Sequence, residues 1–262
     1  MNFSKKSLGQ NFLIDKNIIK KIVNCTDIKD KNVIEIGPGK GALTDEIIRK
    51  KPKSFSLIEK DSFLAEKLKK KYSYKKFIEV INKDILKINI EKFYKNNTVI
   101  FGNLPYNISS QILVKVIKSK KWPPKFDNLV FMFQKELGEK IIGKFPSSNY
   151  GRLSIISNFR LKIIKKFLVS PNCFWPKPKV TSMVIHLRPL TNTFFNIKKL
   201  ENLEKITNII FSNKRKMVNK SINKILKKKN IMEIEELNLN SRPSDIKPDI
   251  YYKITELYEQ SH

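Results

Sequence analysis

The sequence predicts an α/β fold: a doubly wound sheet flanked by helices and followed by a small C-terminal helical domain. Apolar β-branched runs alternate with helical periodicity through most of the chain, as in strand–helix–strand proteins. The first such run, residues 32–36, leads into a glycine cluster and then into a helical pattern. After a Thr-, Asn- and Pro-rich stretch at 189–196 the pattern is helical only. We therefore predict two domains, 1–190 and 191–262.

The charge of the chain indicates the class of its partner. The 262 residues contain 53 Lys and Arg against 24 Asp and Glu, which gives a formal net charge of +29. Such an excess attracts polyanions, and it favours a nucleic acid over a small acidic substrate.

Cysteine, histidine and apolar content argue against several other classes. Cys25 and Cys173 are far apart in sequence, and the histidines are His186 and the terminal His262. They provide no disulfide framework, metal-ligand spacing or histidine-based catalytic triad. No apolar run approaches the roughly 20 residues of a membrane span. We expect a cytoplasmic protein with no metal and no membrane segment.

The elements of the sheet domain follow in order along the chain. A basic N-terminal segment precedes a short amphipathic helix, in which Ile18, Ile19, Ile22 and Val23 recur at helical spacing. Apolar runs predict strands at 32–36, 55–59, 77–81, 98–101, 127–134 and 180–188. Helical patterns separate the first three runs.

The glycine loop Gly37-Pro38-Gly39-Lys40-Gly41 is the first candidate binding element. A glycine-rich loop between a strand and a helix can bind three kinds of ligand, and the spacing of the glycines distinguishes them. A phosphate-binding P-loop requires Ser or Thr after its Lys, but Gly41 follows Lys40. The dinucleotide fingerprint places its last glycine one position later than Gly41. The shorter spacing, with Glu35 inside the strand, is similar to the S-adenosylmethionine loop of class I methyltransferases.

Two acidic residues stand at the ends of the next two predicted strands. Glu59 ends the run 55–59, about twenty residues after the glycines, where an acid can accept both ribose hydroxyls. Asp84 follows the run 77–81, where it could bind an adenine amino group. Because strand carboxyl ends meet in one crevice of an open α/β sheet, we expect Gly37, Glu59 and Asp84 to lie close together.

The fourth strand end carries the segment Asn103-Leu104-Pro105-Tyr106, our candidate for the catalytic turn. We expect Gly102 to end the strand at Phe101, and Pro105 removes a backbone donor and stiffens the turn. The Asn103 amide and the Leu104 carbonyl can accept hydrogen bonds from an exocyclic amine, and the Tyr106 ring can stack on a base.

Two further segments carry candidate RNA contacts. Phe174-Trp175-Pro176-Lys177-Pro178 is a proline-stiffened aromatic loop. It either packs against the sheet edge or places Phe174 opposite Tyr106 across a flipped base. Residues 213–229 carry eight Lys and Arg and no acid, which favours contacts with an RNA backbone over a merely solvated face.

Taken together in order, these segments resemble the small-subunit ribosomal RNA adenine dimethyltransferases, relatives of the erythromycin-resistance rRNA methyltransferases. The resemblance covers nearly the whole chain. The matching segments are Gly9-Gln10-Asn11-Phe12-Leu13, Glu35-Ile36-Gly37-Pro38-Gly39, Ile58-Glu59, Asp84, Asn103-Leu104-Pro105-Tyr106-Asn107-Ile108-Ser109, Gln134-Lys135-Glu136, Tyr150-Gly151-Arg152-Leu153-Ser154 and Phe174-Trp175-Pro176-Lys177-Pro178-Lys179-Val180.

The resemblance implies S-adenosylmethionine as cofactor and dimethylation of adenine N6 at two adjacent adenosines near the 3′ end of small-subunit rRNA. The implied partner is an immature ribosomal subunit, and we expect a monomer with a role in subunit biogenesis. The expected cofactor-binding residues are Asn11, Leu13, Gly37, Gly39, Glu59, Asp84 and Asn103. The expected catalytic residues are Asn103, Leu104, Pro105, Tyr106 and Phe174. RNA contacts are expected at Lys214, Arg215, Lys216 and Lys220. At two of these positions the resemblance leads us to expect arginine, where this chain has Lys214 and Lys220.

Three alternatives stay open at this point. The first is a large-subunit methyltransferase of the resistance type. The second is an RNA-binding ribosome-assembly factor whose methylation is dispensable or lost, which the complete set Gly37, Glu59, Asp84 and Asn103 argues against. The third, an NAD-dependent oxidoreductase, is disfavoured by the glycine spacing and by the charge.

Overall fold

The computed structural model describes residues 10–191 and 194–261. Lys5, Lys6, Leu8 and Gly9 of the predicted N-terminal segment lie outside the described residues, as does His262. The chain forms two compact units. The first runs to Gly138 and resumes at Lys162–Pro189, and the second comprises Glu139–Leu161 and the chain from Leu190 onward.

The first unit is built on a seven-stranded sheet. Its strands are β2 (Asn32–Ile36), β3 (Ser54–Glu59), β4 (Ile78–Asn82), β5 (Thr98–Asn103), β6 (Phe126–Gln134), β7 (Leu161–Val169) and β9 (Ser182–Pro189). The strand order is β4-β3-β2-β5-β6-β9-β7. Strands β4, β3, β2, β5 and β6 run parallel to one another, and β9 runs antiparallel to β6. The predicted α/β class is confirmed.

The strand order reverses direction at β2, and this places the binding crevice. From β2 the chain proceeds outward to β3 and β4, then returns to add β5 on the other side. The connection that follows β2 and the connection that follows β5 therefore run towards opposite edges of the sheet, which opens a crevice beyond the carboxyl ends of these two strands. Val99, Ile100 and Phe101 of β5 are fully buried, as expected for a central parallel strand covered on both faces.

Strand β5 is longer than predicted. It continues through Gly102, which pairs with Ile36 on one side and Phe131 on the other. The prediction that Gly102 ends the strand is therefore wrong. A Cβ at Gly102 would lie 2.5 Å from Leu104 Cδ2 and 3.3 Å from the Ile36 carbonyl oxygen. The glycine is required for this close approach rather than for a strand break.

Short helices cover the sheet. They are α1 (Lys16–Val23), α2 (Ala42–Arg49), α3 (Ser62–Tyr72) and α4 (Ser109–Ile117), while α5 (Lys135–Ile141) contains the first boundary between the units. Asp15 and Asp61 cap α1 and α3, since each side chain accepts two backbone N–H bonds of the first turn. Among the described residues, no helix is long and apolar enough to cross a membrane.

A two-stranded ribbon lies beside the main sheet. Strand β1 (Phe12–Leu13) pairs antiparallel with β8 (Phe174–Trp175), with Phe12 opposite Trp175 and Leu13 opposite Phe174. We call this pair the arm ribbon. It joins the N-terminal segment to the predicted aromatic loop, which local sequence pattern did not indicate.

The second unit is helical. Its helices are α6 (Arg152–Arg160), α7 (Leu200–Phe211), α8 (Asn219–Asn223), α9 (Lys228–Met232) and α10 (Pro248–Ser261). The Tyr252 hydroxyl donates to the Ile155 carbonyl at 3.0 Å, and the Tyr252 and Phe159 rings lie 4.9 Å apart between centroids. These contacts join α6 to α10.

The second unit therefore departs from the predicted boundaries. Residues Glu139–Leu161 belong to it, although the prediction assigned everything up to residue 190 to the first domain. The sequence shows that α6 has apolar residues to bury, but not that its partner lies about a hundred residues further along the chain. The compositional change near residue 190 does coincide with a unit boundary.

Candidate active site

A cavity opens at the carboxyl ends of the parallel strands of the first unit. It encloses about 1180 Å³ of space not filled by protein atoms, a volume that includes open solvent at its mouth. The predicted site residues that line it are Asn11, Leu13, Gly37, Gly39, Glu59, Asp84, Asn103, Leu104, Pro105 and Tyr106. Residues 92 positions apart, such as Asn11 and Asn103, thus meet in one place.

The glycine loop approaches the cavity with its backbone. Gly37 and Gly39 have φ values of 68° and 59°, in the left-handed region that disfavours other side chains. A Cβ at Gly39 would lie 3.0 Å from Cε1 of Phe12 in the arm ribbon. The loop backbone is therefore accessible to a ligand, and its shape depends on having no side chain there.

Glu59 is held firmly at the end of β3. Its side chain is 7% exposed, Oε2 accepts the Gly39 N–H at 3.0 Å, and Oε1 accepts the Asp61 N–H at 2.9 Å. Burial raises the pKa of this carboxyl, and the backbone hydrogen bonds counteract that rise. Each oxygen keeps a further lone pair, so the carboxylate can accept hydroxyl donors from a ligand.

Asp84 follows β4 and is held ionised by a lysine. Its Oδ2 lies 2.9 Å from Lys60 Nζ, and its Oδ1 accepts the Leu86 N–H at 2.9 Å. The hydrogen bond from Lys60 is the main cause that lowers the pKa of Asp84. The residue therefore presents an acceptor at the cavity wall, while the partly exposed Lys60 limits its free negative charge.

Asn103 ends β5 and its amide has a fixed orientation. Its Nδ2 donates to the Asn11 carbonyl oxygen at 3.0 Å. Because a carbonyl oxygen can only accept, the amide nitrogen must be the end directed at Asn11, and Oδ1 is the end that remains for a ligand donor. The backbone of the N-terminal segment thus orients the predicted catalytic side chain, an interaction that the sequence did not indicate.

The Tyr106 ring is anchored from its hydroxyl end. The Tyr106 Oη and the Ser182 Oγ are 2.5 Å apart, and Ser182 is completely buried at the start of β9. Burial raises the pKa of the Tyr106 hydroxyl, so it stays protonated. Ser182 was missed by sequence reasoning. A serine within the apolar run 180–188 must have a hydrogen-bond partner, which is the signal that could have found it.

Phe174 is the predicted second stacking residue. Its side chain is 3% exposed and belongs to the apolar core of the first unit together with its cross-strand partner Leu13. Alternation along β8 directs Phe174 inward and Trp175 outward. Within the described chain, Phe174 is not among the residues that line the cavity, and its stacking on a base stays a prediction.

Glu35 is a buried acid that also lines the cavity. It is 1% exposed, and its Oε2 accepts the Thr44 hydroxyl at 2.7 Å. Burial is the main cause that raises the pKa of Glu35 to about 8, against a hydrogen bond from Thr44 that lowers it. The carboxyl is therefore mostly neutral at physiological pH.

His186 is a structural residue of the sheet. It is buried in β9, and its Nε2 lies 2.7 Å from Asn128 Oδ1 on the neighbouring strand β6. Burial, reinforced by Arg188 and Lys165, lowers the pKa of His186 to about 4. In the part of the chain that the structure describes, no group of three or more His, Cys, Asp or Glu side chains could hold a metal ion.

The predicted RNA-contacting residues are exposed in the second unit. Lys214, Arg215 and Lys216 lie on the turn between α7 and α8, and Lys220 lies on α8. Their position leaves the charges available to a polyanion, and their contacts stay a prediction.

A parallel sheet with a glycine loop after its central strand and carboxylates after the next two strands defines a class I methyltransferase that uses S-adenosylmethionine. The solved structures agree. A dimethyladenosine transferase from Plasmodium falciparum is 27% identical, with a TM-score of 0.77 over 93% of this chain and 95% of that one. The 23S rRNA methyltransferase ErmE, 23% identical, has a TM-score of 0.68 over 95% of this chain and 100% of its own, which shows the shared fold alone.

The model of the ribosomal RNA adenine dimethylase family matches residues 1–260, and the chain belongs to this family. The ribosomal RNA small subunit methyltransferase A of Pelagibacter ubique is 47% identical over 260 residues, covering 98% of this chain and 97% of its own. The protein of the same name from Malacoplasma penetrans is 37% identical over 257 residues, covering 96% and 91%. The family predicted from the sequence is confirmed.

Proposed function

We propose that this enzyme dimethylates N6 of two adjacent adenosines near the 3′ end of small-subunit rRNA, within an immature subunit. The relatives named small subunit methyltransferase A support this choice over the large-subunit alternative. The observation that carries the chemistry is the fixed amide of Asn103, whose Oδ1 is left for a ligand donor between the cofactor crevice and Tyr106. We further propose that the enzyme acts in the cytoplasm as a monomer.

The residues present fit the cofactor. The left-handed glycines let a ligand approach the backbone, with Gly37 beside the amino-acid end. Glu59 accepts the ribose hydroxyls and Asp84 the adenine amino group, since both carboxyls line the cavity as hydrogen-bond acceptors. Asn11 and Leu13 close the pocket from the N-terminal segment. When bound, S-adenosylmethionine supplies a methyl group on a positively charged sulfur, which is already an activated electrophile.

The protein's contribution to the reaction is to orient the adenine amine. The N6 lone pair is delocalised into the ring, so the amine is a poor nucleophile. Asn103 Oδ1 and the Leu104 carbonyl accept its two N–H groups and favour a more tetrahedral amine with its lone pair aimed at the methyl group. The same acceptors stabilise the positive charge that develops on N6, because they are fixed before the reaction begins.

The base is held by stacking after it leaves the RNA. Tyr106 offers its ring, and the hydrogen bond to Ser182 anchors the hydroxyl end of that ring. Stacking of this kind contributes about 1–3 kcal/mol per base, which helps to offset the cost of unstacking the adenosine. Pro105 stiffens the turn that carries Asn103 and Tyr106.

The basic turn of the second unit holds the RNA backbone. Lys214, Arg215, Lys216 and Lys220 are exposed and lie close together in sequence. Replacing the first three by Gln is expected to weaken RNA binding and to flatten its dependence on salt. The slope of log K against log salt concentration should fall in magnitude by about 0.7–0.9 for each phosphate that is no longer neutralised. Filter-binding titrations over a range of salt concentrations measure this slope. An unchanged slope would show that these residues do not contact the RNA backbone and that another surface binds it.

The proposal is tested by methylation assays on immature small subunits and on large-subunit rRNA in parallel. Labelled methyl in the small-subunit rRNA alone supports the proposal, whereas label in large-subunit rRNA alone establishes the resistance-type activity. RNA binding without label in either substrate would identify an assembly factor instead. Calorimetry with S-adenosylmethionine, run on the same sample, shows whether an inactive preparation still holds the cofactor.

A further inference from the structure

The arm ribbon presents one large aromatic side chain to solvent. Trp175 is 47% exposed, although its neighbour Phe174 is buried in the core. Alternation along β8 accounts for this contrast, because successive side chains of a strand point to opposite faces. Trp175 therefore contributes little burial for so large a side chain, and the proposed methyl transfer assigns it no role.

Trp175 is tied to the mouth of the cofactor cavity. Its cross-strand partner Phe12 lines the cavity, and so does Lys40 of the glycine loop. The Lys40 Nζ lies 4.6 Å from the centroid of the Phe12 ring and 4.8 Å from the centroid of the Trp175 ring. Contacts at these distances are cation–π interactions, so Lys40 holds the indole beside the cavity while about half of its surface stays exposed.

The charge around Trp175 indicates what covers it. Lys177 and Lys179 are exposed in the same loop, and the segment 171–181 contains no acid. An aromatic surface with lysines and no acid in its own segment suits an unpaired nucleotide, which offers a flat base and a negative phosphate together. A partner protein with an acidic apolar surface would also be attracted, and no response to an oligonucleotide in the experiment below would favour that occupant and overturn the nucleotide.

We propose that Trp175 is a stacking platform for a second unpaired nucleotide of the RNA, next in the chain to the adenosine that enters the cavity. Lys40 orients the indole from the glycine loop, and the exposed surface of the indole receives the base. The inference rests on the proposed function in one respect, namely that the polyanion is RNA. It adds a residue for positioning the substrate, separate from the turn that orients the reacting amine.

Tryptophan fluorescence tests the platform directly. The chain contains two tryptophans, Trp122 and Trp175, so Trp122→Phe leaves Trp175 as the single reporter. We expect a short single-stranded oligoadenylate to quench this fluorescence, whereas inorganic polyphosphate of equal charge leaves it unchanged. Equal responses to both polyanions, or no response to the oligoadenylate, would overturn the proposal.

Steady-state kinetics separate substrate positioning from support of the fold. Trp175→Ala should raise the KM for small-subunit rRNA by about tenfold, while Trp175→Phe, which keeps a stacking ring, should raise it far less. The dissociation constant of S-adenosylmethionine should be unchanged in both variants. An unchanged KM for Trp175→Ala contradicts the proposal. A parallel loss of cofactor binding contradicts it as well, since Trp175 would then only support the ribbon.

Tyr74 provides a matched control. It is 74% exposed with Lys75 Nζ 4.9 Å from its ring centroid, but it lies between α3 and the amino end of β4, whereas the cavity lies at the carboxyl ends of the strands. Tyr74→Ala is expected to leave the KM for rRNA unchanged, and an increase equal to that of Trp175→Ala would show a nonspecific effect and reject the platform. If the wild-type enzyme methylates no small-subunit rRNA, the proposed function fails, while the fluorescence titration still decides on the platform.

Discussion

The cofactor cavity has two walls that are built in different ways. One wall consists of the carboxyl ends of parallel strands and carries Gly37, Glu59 and Asn103. The other is the arm ribbon, in which Phe12–Leu13 pairs with Phe174–Trp175 from far along the chain. The strand-end wall supplies the hydrogen-bonding groups of the site. The ribbon wall and the residue before it orient them, because the carbonyl of Asn11, directly before the ribbon, fixes Asn103 and the Phe12 ring lies against Gly39.

The chemical groups of the site and the groups that position them are therefore encoded at different ranges in the sequence. The groups proposed to bind the ligand lie at the ends of their own strands or just beyond them, so local pattern reveals them. The groups that hold these residues in place come from segments that meet only in the folded chain. The predictions below test each wall separately.

The largest effect is expected for Asn103→Ala. Removing the amine acceptor should reduce the rate of methyl transfer by about 10²–10³-fold, the scale of removing one preorganised transition-state interaction. Cofactor affinity should change little, since Glu59 and Asp84 remain in place. Single-turnover methylation and calorimetry with S-adenosylmethionine measure the two quantities. Asn17→Ala, which removes an exposed amide of α1 outside the cavity lining, is the control and should keep near-normal rates.

A smaller effect is expected where the two walls meet, in Gly39→Ala. The left-handed φ of 59° costs about 1–2 kcal/mol for an alanine, and the added Cβ presses on the Phe12 ring. Cofactor binding should weaken by about tenfold in calorimetry. Gly151→Ala should have no effect, because its backbone is extended at φ 173° and the new Cβ meets only Phe211 at 3.9 Å. Equal losses in both variants would show that the loop geometry is not what matters.

Ser182→Ala tests the anchor of the stacking ring. Removing the partner of the Tyr106 hydroxyl should slow methyl transfer by about fivefold, as expected for one hydrogen bond of about 1 kcal/mol. Tyr106→Phe should behave similarly, and the double variant should be no slower than either single variant. Additive losses in this cycle of rate measurements would mean that Ser182 and Tyr106 act independently.

The last effect concerns the stability of the strand-end wall and not the rate of methyl transfer. Folding raises the pKa of Glu35 from its ordinary value of 4.5 to about 8, mainly through burial. Between these two values the unfolded chain is ionised and the folded chain is protonated, so unfolding releases a proton and stability falls as the pH rises. Glu35→Gln removes this cost and should raise the melting temperature increasingly towards pH 8.

Thermal unfolding at several pH values measures the Glu35 effect. The exposed Glu79 of β4 provides the control, since Glu79→Gln makes the same substitution on a side chain that is not buried. A constant difference between Glu35→Gln and the wild type across the pH range would show that Glu35 is ionised in the folded protein.

Much of the strand-end wall could be predicted from the sequence. Apolar runs ending in Glu59, Asp84 and Asn103 indicate both the strands and their polar ends, since periodicity and turn residues act locally. The prediction that Gly102 ends the strand was wrong because a glycine that permits close packing looks the same in sequence as one that ends a strand.

The ribbon wall and the second unit could be predicted only in part. Phe174 was identified as an aromatic loop residue, but its burial follows from pairing with Leu13, some 160 residues away in the chain. The assignment of Glu139–Leu161 depends on contacts such as Tyr252 with Ile155, which no local pattern contains. Ser182 and the Asn11 carbonyl are likewise recognised only through their distant partners.

The central claim is that the strand-end turn presents an adenine amine of small-subunit rRNA to the cofactor. Transfer of labelled methyl to immature small subunits, followed by mapping of the modified bases, tests it most directly. The account predicts N6-dimethylated adenosines at adjacent positions near the 3′ end for the wild type, and none for Asn103→Ala with its cofactor bound. Label on other bases, or an unchanged pattern with Asn103→Ala, would contradict it.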